Sequence, residues 1–449
     1  MANILVISSG LTSKYLTHME LTRRLQILGH EVCYASQGSI EAVVAAQGLP
    51  FLRLRGEAPN KPKTYYRQNG ALAKLLQFVG KFLTIRQRQK KAIRAFEIEH
   101  FLATVANVNP DVLIIDIELH PQIMAAYSIG KPVLLTCSWL SIFEHPNSPP
   151  MNLYELPGNN VRKSWQGFRR WKKQLLLKKR IHTVGEDAAT LYKLLGKQLN
   201  FPIDNEIDDE QWILPFSYRN LPVLMLSSLE MDFPREPFPV EHHIGPLILK
   251  NRSRRKFSPG EEESLENILS QHRNRKGGKK LVHCAFGTNF QGDRSLDFFT
   301  KVVKAADTLS QFDFVFGLGG RLDEIDFDEI PKNVYLFSWV PQLDVLRVAD
   351  AAIIHSGNAT INECVYYGVP MLLYPNWSTA DQAGAASRAE YHKLGYVGDR
   401  NCVRPDEIAS ELLRLMNDKE VQSAVDNMRL VIHNAEESTN LSDILDQMI

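Results

Sequence analysis

Between residues 339 and 382 two indoles, one imidazole, four carboxylates and several carboxamide, hydroxyl and glycine residues punctuate short apolar runs. AAII at 351–354 passes directly into HSGNATINE, so a strand is expected to end at His355 and a helix to begin near Thr360, with Gly357, Asn358 and Ala359 in the turn. Free N–H groups at a helix start favour an anion, and a glycine lets a phosphate approach the backbone. His355, Asn358 and Thr360 could each add a side-chain donor. Glu363 falls one helical turn beyond Thr360 on the same face. A carboxylate there suits a vicinal diol such as a ribose rather than the phosphate itself. Taken singly, these residues read as a cap, a turn glycine and satisfied polar groups; only their joint spacing points to a nucleotide.

The wider order is Trp339-Val340-Pro341-Gln342, His355-x-Gly357, Thr360-x-x-Glu363, Gly368-x-Pro370, Pro375, then Asp381-Gln382. It resembles the nucleotide-sugar signature of family 1 glycosyltransferases, the class of the UDP-glycosyltransferases. The resemblance implies that Trp339, flanked by Val340, stacks on a nucleobase with Gln342 nearby. It further implies that His355, Gly357, Asn358 and Thr360 surround the diphosphate, that Glu363 holds the ribose, and that Asp381 and Gln382 hold the sugar hydroxyls. HCAFGT at 283–288 resembles the family's loop at the donor phosphate, carrying Gly287 and Thr288. LGHEV at 28–32 and IGPL at 244–247 match further landmarks, and AGAASRAEYHKLG after Gln382 resembles the bacterial carotenoid and lipophilic-acceptor branch. Ala359 stands where many members carry Asn, which removes one phosphate donor. What the resemblance implies is a GT-B fold of two Rossmann-like doubly wound domains facing a central cleft. The implied activity is inverting transfer of a hexose, glucose by the family's use of Gln382, from a UDP-sugar to a hydroxyl of a small lipophilic acceptor. A dTDP-sugar stays open as donor. No cofactor or metal is expected, because helix N-termini and side chains would stabilise the leaving diphosphate.

The family places a general-base His after its first strand, held by a downstream Asp. Counting back from Gly29, that position is Lys14, while VLIID ends on Asp116 at the matching place. Lys14 as base needs a pKa far below about 10.4, and a neighbouring carboxylate acts the other way. His18, one helical turn from Lys14, His120, just past Asp116, and Asp116 itself are the alternative bases. In a further reading the acceptor arrives ionised and Lys14 anchors it by charge. A lysine in the first turn of a helix opposes the macrodipole, a local cost more often kept for function, so anchoring is the preferred expectation. The rivals are a non-transferring nucleotide-sugar binder acting as partner or regulator, and different chemistry on an acidic substrate.

Positioning these residues takes two domains, which 449 residues accommodate at about 200 each. Apolar runs alternate with amphipathic stretches in both halves, the pattern of parallel sheets with crossover helices. The expected division is an acceptor domain at 1–243, a linker at 244–263, a donor domain at 264–429, and a helix at 430–449 returning to the first domain. The insertion from Trp139 to Trp171 is expected to shape the acceptor pocket. Residues 1–250 carry 30 Lys+Arg against 22 Asp+Glu, and the remainder 22 against 29, an asymmetry that the net +1 conceals. Two runs, Lys61–Arg94 and Val161–Arg180, hold ten and nine basic residues and no acid. Interleaved with Trp165, Phe168, Trp171 and Leu175 to Leu177, the second reads as a solvated face or as a peripheral contact with an anionic membrane. No motif for nucleic acid accompanies the charge. Five scattered cysteines without CxxC spacing, no signal-like start and no spanning apolar run lead us to expect a cytoplasmic protein, with the inner membrane surface as a peripheral site. GLGG at 317–320 and DFDE at 326–329 read as a turn and solvated charge.

Overall fold

The computed structural model describes residues 1–37, 40–55, 79–158, 160–252, 259–274, 278–287, 293–318, 329–377, 381–438 and 441–447. Thr288 and parts of the Lys61–Arg94, GLGG and DFDE stretches lie outside the described residues. The first half contains β1 (Asn3–Ser9), β2 (Glu31–Gln37), β3 (Phe51–Leu54), β4 (Val112–Asp116) and β5 (Val133–Cys137). Two short strands, β6 (Ile207–Asp208) and β7 (Ser217–Tyr218), pair with each other, and β8 (Val223–Met225) and β9 (Glu241–His243) complete the main sheet. That sheet runs β3-β2-β1-β4-β5-β8-β9, with every pairing parallel. The second half forms β10 (Lys280–Ala285), β11 (Phe312–Gly317), β12 (Val334–Phe337), β13 (Ala351–Ile354), β14 (Met371–Leu373) and β15 (Gly395–Val397). Its order, β12-β11-β10-β13-β14-β15, is again wholly parallel.

Sequence explains this layering. VLIID in β4, VLLTC in β5 and AAII in β13 are apolar or small almost throughout and buried at every position, as strands covered by helices on both faces must be. Strand order reverses between β1 and β4 in one sheet and between β10 and β13 in the other, and crevices open at the carboxyl ends of such strand pairs. Lys14, in the Thr12–Ile27 helix, follows β1, and Asp116 ends β4; Gly287 follows β10, and His355 follows β13. The four positions singled out by sequence therefore sit at the two switch points. The helix after β13 begins at Asn358, two residues before the expected start, because Gly357 already takes the extended cap conformation.

The halves pack as one body. A single apolar cluster includes Leu113 and Leu135 from the first sheet and Val282 and Ile353 from the second. Arg388, from the Gln382–Tyr391 helix, donates to Asp232 Oδ1 at 2.5 Å and to Ser148 Oγ at 2.7 Å, all three side chains buried. Arg235 and Glu241 complete this buried network, so each charge has a partner. Gly384 makes the approach feasible, since a Cβ there would lie 2.5 Å from the Met151 carbonyl oxygen. The chain's last described helix, Leu441–Asp446, buries Leu441 and Leu445 among Ile4, Val6 and Leu224 of the first sheet. All five cysteines are free thiols. Among the described residues no helix is long and apolar enough to cross a membrane.

Candidate active site

A cleft opens where the two switch points face each other. Its larger chamber, about 600 Å³, is lined by Trp339, Val340, Gln342, Glu363 and His283 from the second half and by Tyr15 and Leu16 from the first. An adjoining chamber of about 280 Å³ is lined by Lys14, Trp139, Asp381, Gln382 and Arg400. His355, Gly287, Thr360 and Glu363 border both.

The corner between the chambers is built for an anion. The helix Asn358–Tyr367 points its first N–H groups there, and a ten-residue helix carries a useful positive end. Ser356 has φ +64°, in the left-handed region, which turns the chain sharply from β13 into that helix. Gly287 and Gly357 flank the His355 ring: a Cβ on either would come within 2.8 or 2.6 Å of Nε2. Side chains there would clash with the imidazole, so glycine is required at both positions. His355 Nδ1 donates to the Ala285 carbonyl at 3.2 Å, leaving Nε2 toward the cleft corner. Burial holds the imidazole's pKa below its ordinary 6.5, and the Arg400 charge acts in the same direction against the Ala285 hydrogen bond. Asn358 departs from expectation. Its amide donates to the Ser138 carbonyl at 2.8 Å and the Ser227 hydroxyl at 2.9 Å across the domain boundary, so it clasps the two halves instead of facing a phosphate.

Glu363 is buried, and Gln342 Nε2 donates to its Oε2 at 2.5 Å while Arg252 ion-pairs with its Oε1. Gln342 thus supports the carboxylate expected to read a diol. Val340 packs against Gly317, where a Cβ would meet Val340 Cγ2 at 2.8 Å. Gln382 accepts from the Asn376 N–H at 2.9 Å. Asp381 stands at the N-cap position of the helix that Gln382 opens, without a side-chain capping bond, and burial raises its pKa, partly offset by its own backbone N–H, by Lys14 and by the Trp139 indole.

On the first-half side, Lys14 Nζ donates to Asp116 Oδ1 at 3.1 Å, also pairs with Glu118, and lies 4.9 Å from the Trp139 ring centroid. Burial pulls the Lys14 pKa down, but Asp116 and Glu118 together outweigh it and the net shift is upward. A permanently charged ammonium takes no proton, so Lys14 is unsuited to the role of base. The preferred anchoring role fails as well, because two carboxylates already match its charge and would repel an acidic acceptor. His18 is spent internally: Nδ1 bonds the Lys14 carbonyl at 2.8 Å and Nε2 the Thr136 hydroxyl at 2.6 Å. His120 bonds the Tyr218 hydroxyl at 2.9 Å within a ring of Tyr192, Phe216 and Tyr218, and burial pushes its pKa down to about 3. Neither imidazole faces the cleft as a base. Asp116 Oδ2 is buried without a partner, and Oδ1 also accepts the Glu118 N–H at 3.1 Å. Glu118, its side chain 37% exposed, is the one accessible carboxylate of this cluster.

Trp139, where the expected pocket-shaping insertion begins, lines the smaller chamber. Sequence reading missed Glu118, Arg252 and Arg400. Glu118 was within reach, two residues past Asp116. The other two come from loops whose approach only the fold reveals.

The C-terminal part of the chain, residues 308–443, matches the glycosyltransferase family 28 C-terminal domain. Among curated proteins, an uncharacterized UDP-glucosyltransferase, YdhE of Bacillus subtilis, is 29% identical over 138 residues, which is 30% of this chain and 32% of that protein. Zeaxanthin glucosyltransferase of Pantoea ananas is 26% identical over 233 residues, 51% of this chain and 50% of that protein. The matched stretches thus span about a third to a half of those relatives. In fold, the chain is similar to the glycotransferase of kitacinnamycin, with a TM-score of 0.65 at 18% identity over 100% of this chain and 99% of that one. It is also similar to the glycosyltransferase VinC in complex with DTDP, with a TM-score of 0.61 at 17% identity over 99% and 98%.

Proposed function

For this chain, a member of the UDP-glycosyltransferase-like family 1 glycosyltransferases of GT-B fold, we propose inverting transfer of a hexose, glucose first, from a UDP-sugar to a hydroxyl of a small lipophilic acceptor. The observation that carries this reading is the opposition of charges across one cleft. A corner of N–H groups, His355 and Arg400 shares one chamber with Asp381 and with Lys14, which pairs with the carboxylates of Asp116 and Glu118. The first suits a departing diphosphate and the second a hydroxyl losing its proton. In the step, the acceptor oxygen forms its bond to the anomeric carbon as the bond to the phosphate oxygen breaks. Charge developing on the diphosphate passes to the helix N-terminus, His355 and Arg400. The hydroxyl proton goes to Glu118, which its ion pair with Lys14 orients. The donor lies with its base against Trp339 and its ribose toward Glu363, and no metal or other cofactor enters. YdhE and zeaxanthin glucosyltransferase support glucose by name; a DTDP complex of a structural neighbour keeps thymidine nucleotides in view.

UDP release from a panel of UDP-sugars and hydroxyl acceptors tests this directly. Acceptor-dependent release that Glu363→Ala abolishes is the expected result. Nucleotide binding without turnover on any acceptor would favour a non-transferring binder instead.

We also propose that the first domain rests on an anionic bilayer. The helix Val161–His182 exposes Leu177 and Ile181 one turn apart among its nine basic residues, and Phe82 and Leu83 are exposed nearby. Gln89 bonds the Gly185 carbonyl at 2.8 Å and Arg88 pairs with Glu186, which ties the two segments together. Trp139 reaches this helix through Trp212 and Phe168, with ring centroids 6.3 and 5.5 Å apart. A lipophilic acceptor collected at such a surface would enter near Trp139.

A further inference from the structure

The carboxylate expected to read the donor's ribose is not free to read it alone. Glu363 is buried, and protein donors occupy both of its oxygens: Gln342 Nε2 on Oε2 at 2.5 Å and the Arg252 guanidinium on Oε1. Arg252 is itself fixed, since its Nε donates to the Leu249 carbonyl at 3.1 Å, and it borders both chambers of the cleft. It comes from the stretch joining the two domains, outside every sequence motif.

This pairing has a consequence for donor choice. A site that hydrogen-bonds a hydroxyl rejects the analogue lacking it because a buried polar group is left without a partner. An ionised carboxylate has about four lone-pair positions, so Glu363 can accept ribose hydroxyls while keeping both protein donors. Removing the 2′-hydroxyl then orphans neither oxygen. We infer that Arg252 is a specificity-determining residue that makes this cleft tolerant of 2′-deoxyribose, so that ribo- and deoxyribonucleoside diphosphate sugars both serve as donors. The inference rests on the reading of this cleft as a nucleotide-sugar site and deepens it.

Comparing UDP with 2′-deoxy-UDP isolates the hydroxyl, because base and diphosphate are identical. Calorimetric affinities for the parent protein should lie within about fivefold of each other, as expected when no buried acceptor is orphaned. Arg252→Ala should weaken both nucleotides but the deoxy form more, widening the ratio to about tenfold or beyond as Glu363 Oε1 loses its protein donor. Arg252→Lys, which keeps a charged donor, should hold the ratio near the parental value. The ratio is insensitive to any general loss of phosphate attraction, and UDP binding by each variant reports that it is folded. A parent protein that already rejects 2′-deoxy-UDP by about thirtyfold or more, or a ratio unmoved by Arg252→Ala, would overturn the inference while leaving the nucleotide site intact. Failure of the parent to bind either nucleotide would instead overturn the reading of the cleft, and this inference with it.

Discussion

The two halves repeat one strand order and then diverge at the place where it matters. Behind β10 and β13, the second half presents a helix N-terminus, a glycine-framed imidazole and an arginine, all suited to negative charge. Behind β1 and β4, the first half presents a lysine already matched by Asp116 and Glu118. On the proposed reading, the same scaffold offers a positively charged face to the donor diphosphate and a carboxylate face to the acceptor. Pairing two copies of a parallel sheet gives a cleft; the side chains at each switch point decide what the cleft can do.

The largest effect should come from breaking the carboxylate face alone. Glu118→Gln keeps size and hydrogen bonding but removes the charge, and kcat should fall by about 100-fold or more, the usual worth of a general base. The KM for the UDP-sugar should hold within about twofold, because the donor contacts lie on the other half. Steady-state kinetics with both substrates varied checks this. Loss of donor affinity with kcat retained would show that the division between the two faces is false.

A smaller effect, on the opposite face, concerns pH. His355 already uses Nδ1–H on the Ala285 carbonyl, so donating from Nε2 to a phosphate requires the imidazolium. Burial keeps the free ring's pKa below 6.5, and a bound diphosphate would raise it. Binding therefore takes up a proton in the window between the lowered free value and the raised bound value. Donor affinity should weaken as pH rises through that window, by up to about tenfold per pH unit. A UDP-sugar is the right probe, because its diphosphate diester carries a constant charge there. Calorimetry in two buffers of different ionisation heat should find proton uptake that His355→Asn removes. Affinity that is flat with pH would assign the phosphate contact to the backbone N–H groups alone.

The same contrast explains what could be read in advance. The donor face is encoded over some forty consecutive positions, because one strand, one turn and one helix carry His355, Gly357, Thr360 and Glu363 at fixed spacings. Alternation of apolar runs likewise announced both sheets. The acceptor face is assembled from segments far apart: Lys14 meets Asp116 across 102 positions, and Trp139 closes over them from a loop. The family resemblance pointed to the Lys14–Asp116 pair but not to its third member, Glu118, which reverses the conclusion about Lys14. His18 and His120 looked available because nothing in the sequence reveals that Thr136 and Tyr218 consume their nitrogens. Asn358 shows the same limit within the motif, since its partners Ser138 and Ser227 belong to the other domain.

The smallest effect tests the outer surface of the first half, where the charge asymmetry of the chain is concentrated. Each lysine or arginine near an anionic bilayer adds about 1 kcal/mol at most, and that attraction decays within a Debye length. The nine basic residues of Val161–His182 cannot all face one plane, so charge alone predicts weak, salt-sensitive attachment. Leu177 and Ile181 supply what salt does not remove, because exposed aliphatic side chains gain by leaving water. Flotation with phosphatidylcholine vesicles should recover little protein, and addition of phosphatidylserine should recover much more. Leu177→Ser with Ile181→Ser should reduce that recovery roughly tenfold, since two aliphatic side chains no longer leave water. The double variant should leave UDP-sugar KM unchanged, because neither residue approaches the donor chambers. Equal recovery with neutral and anionic vesicles would sink the membrane reading. The basic helix would then be a solvated face, and the two halves would differ only inside the cleft.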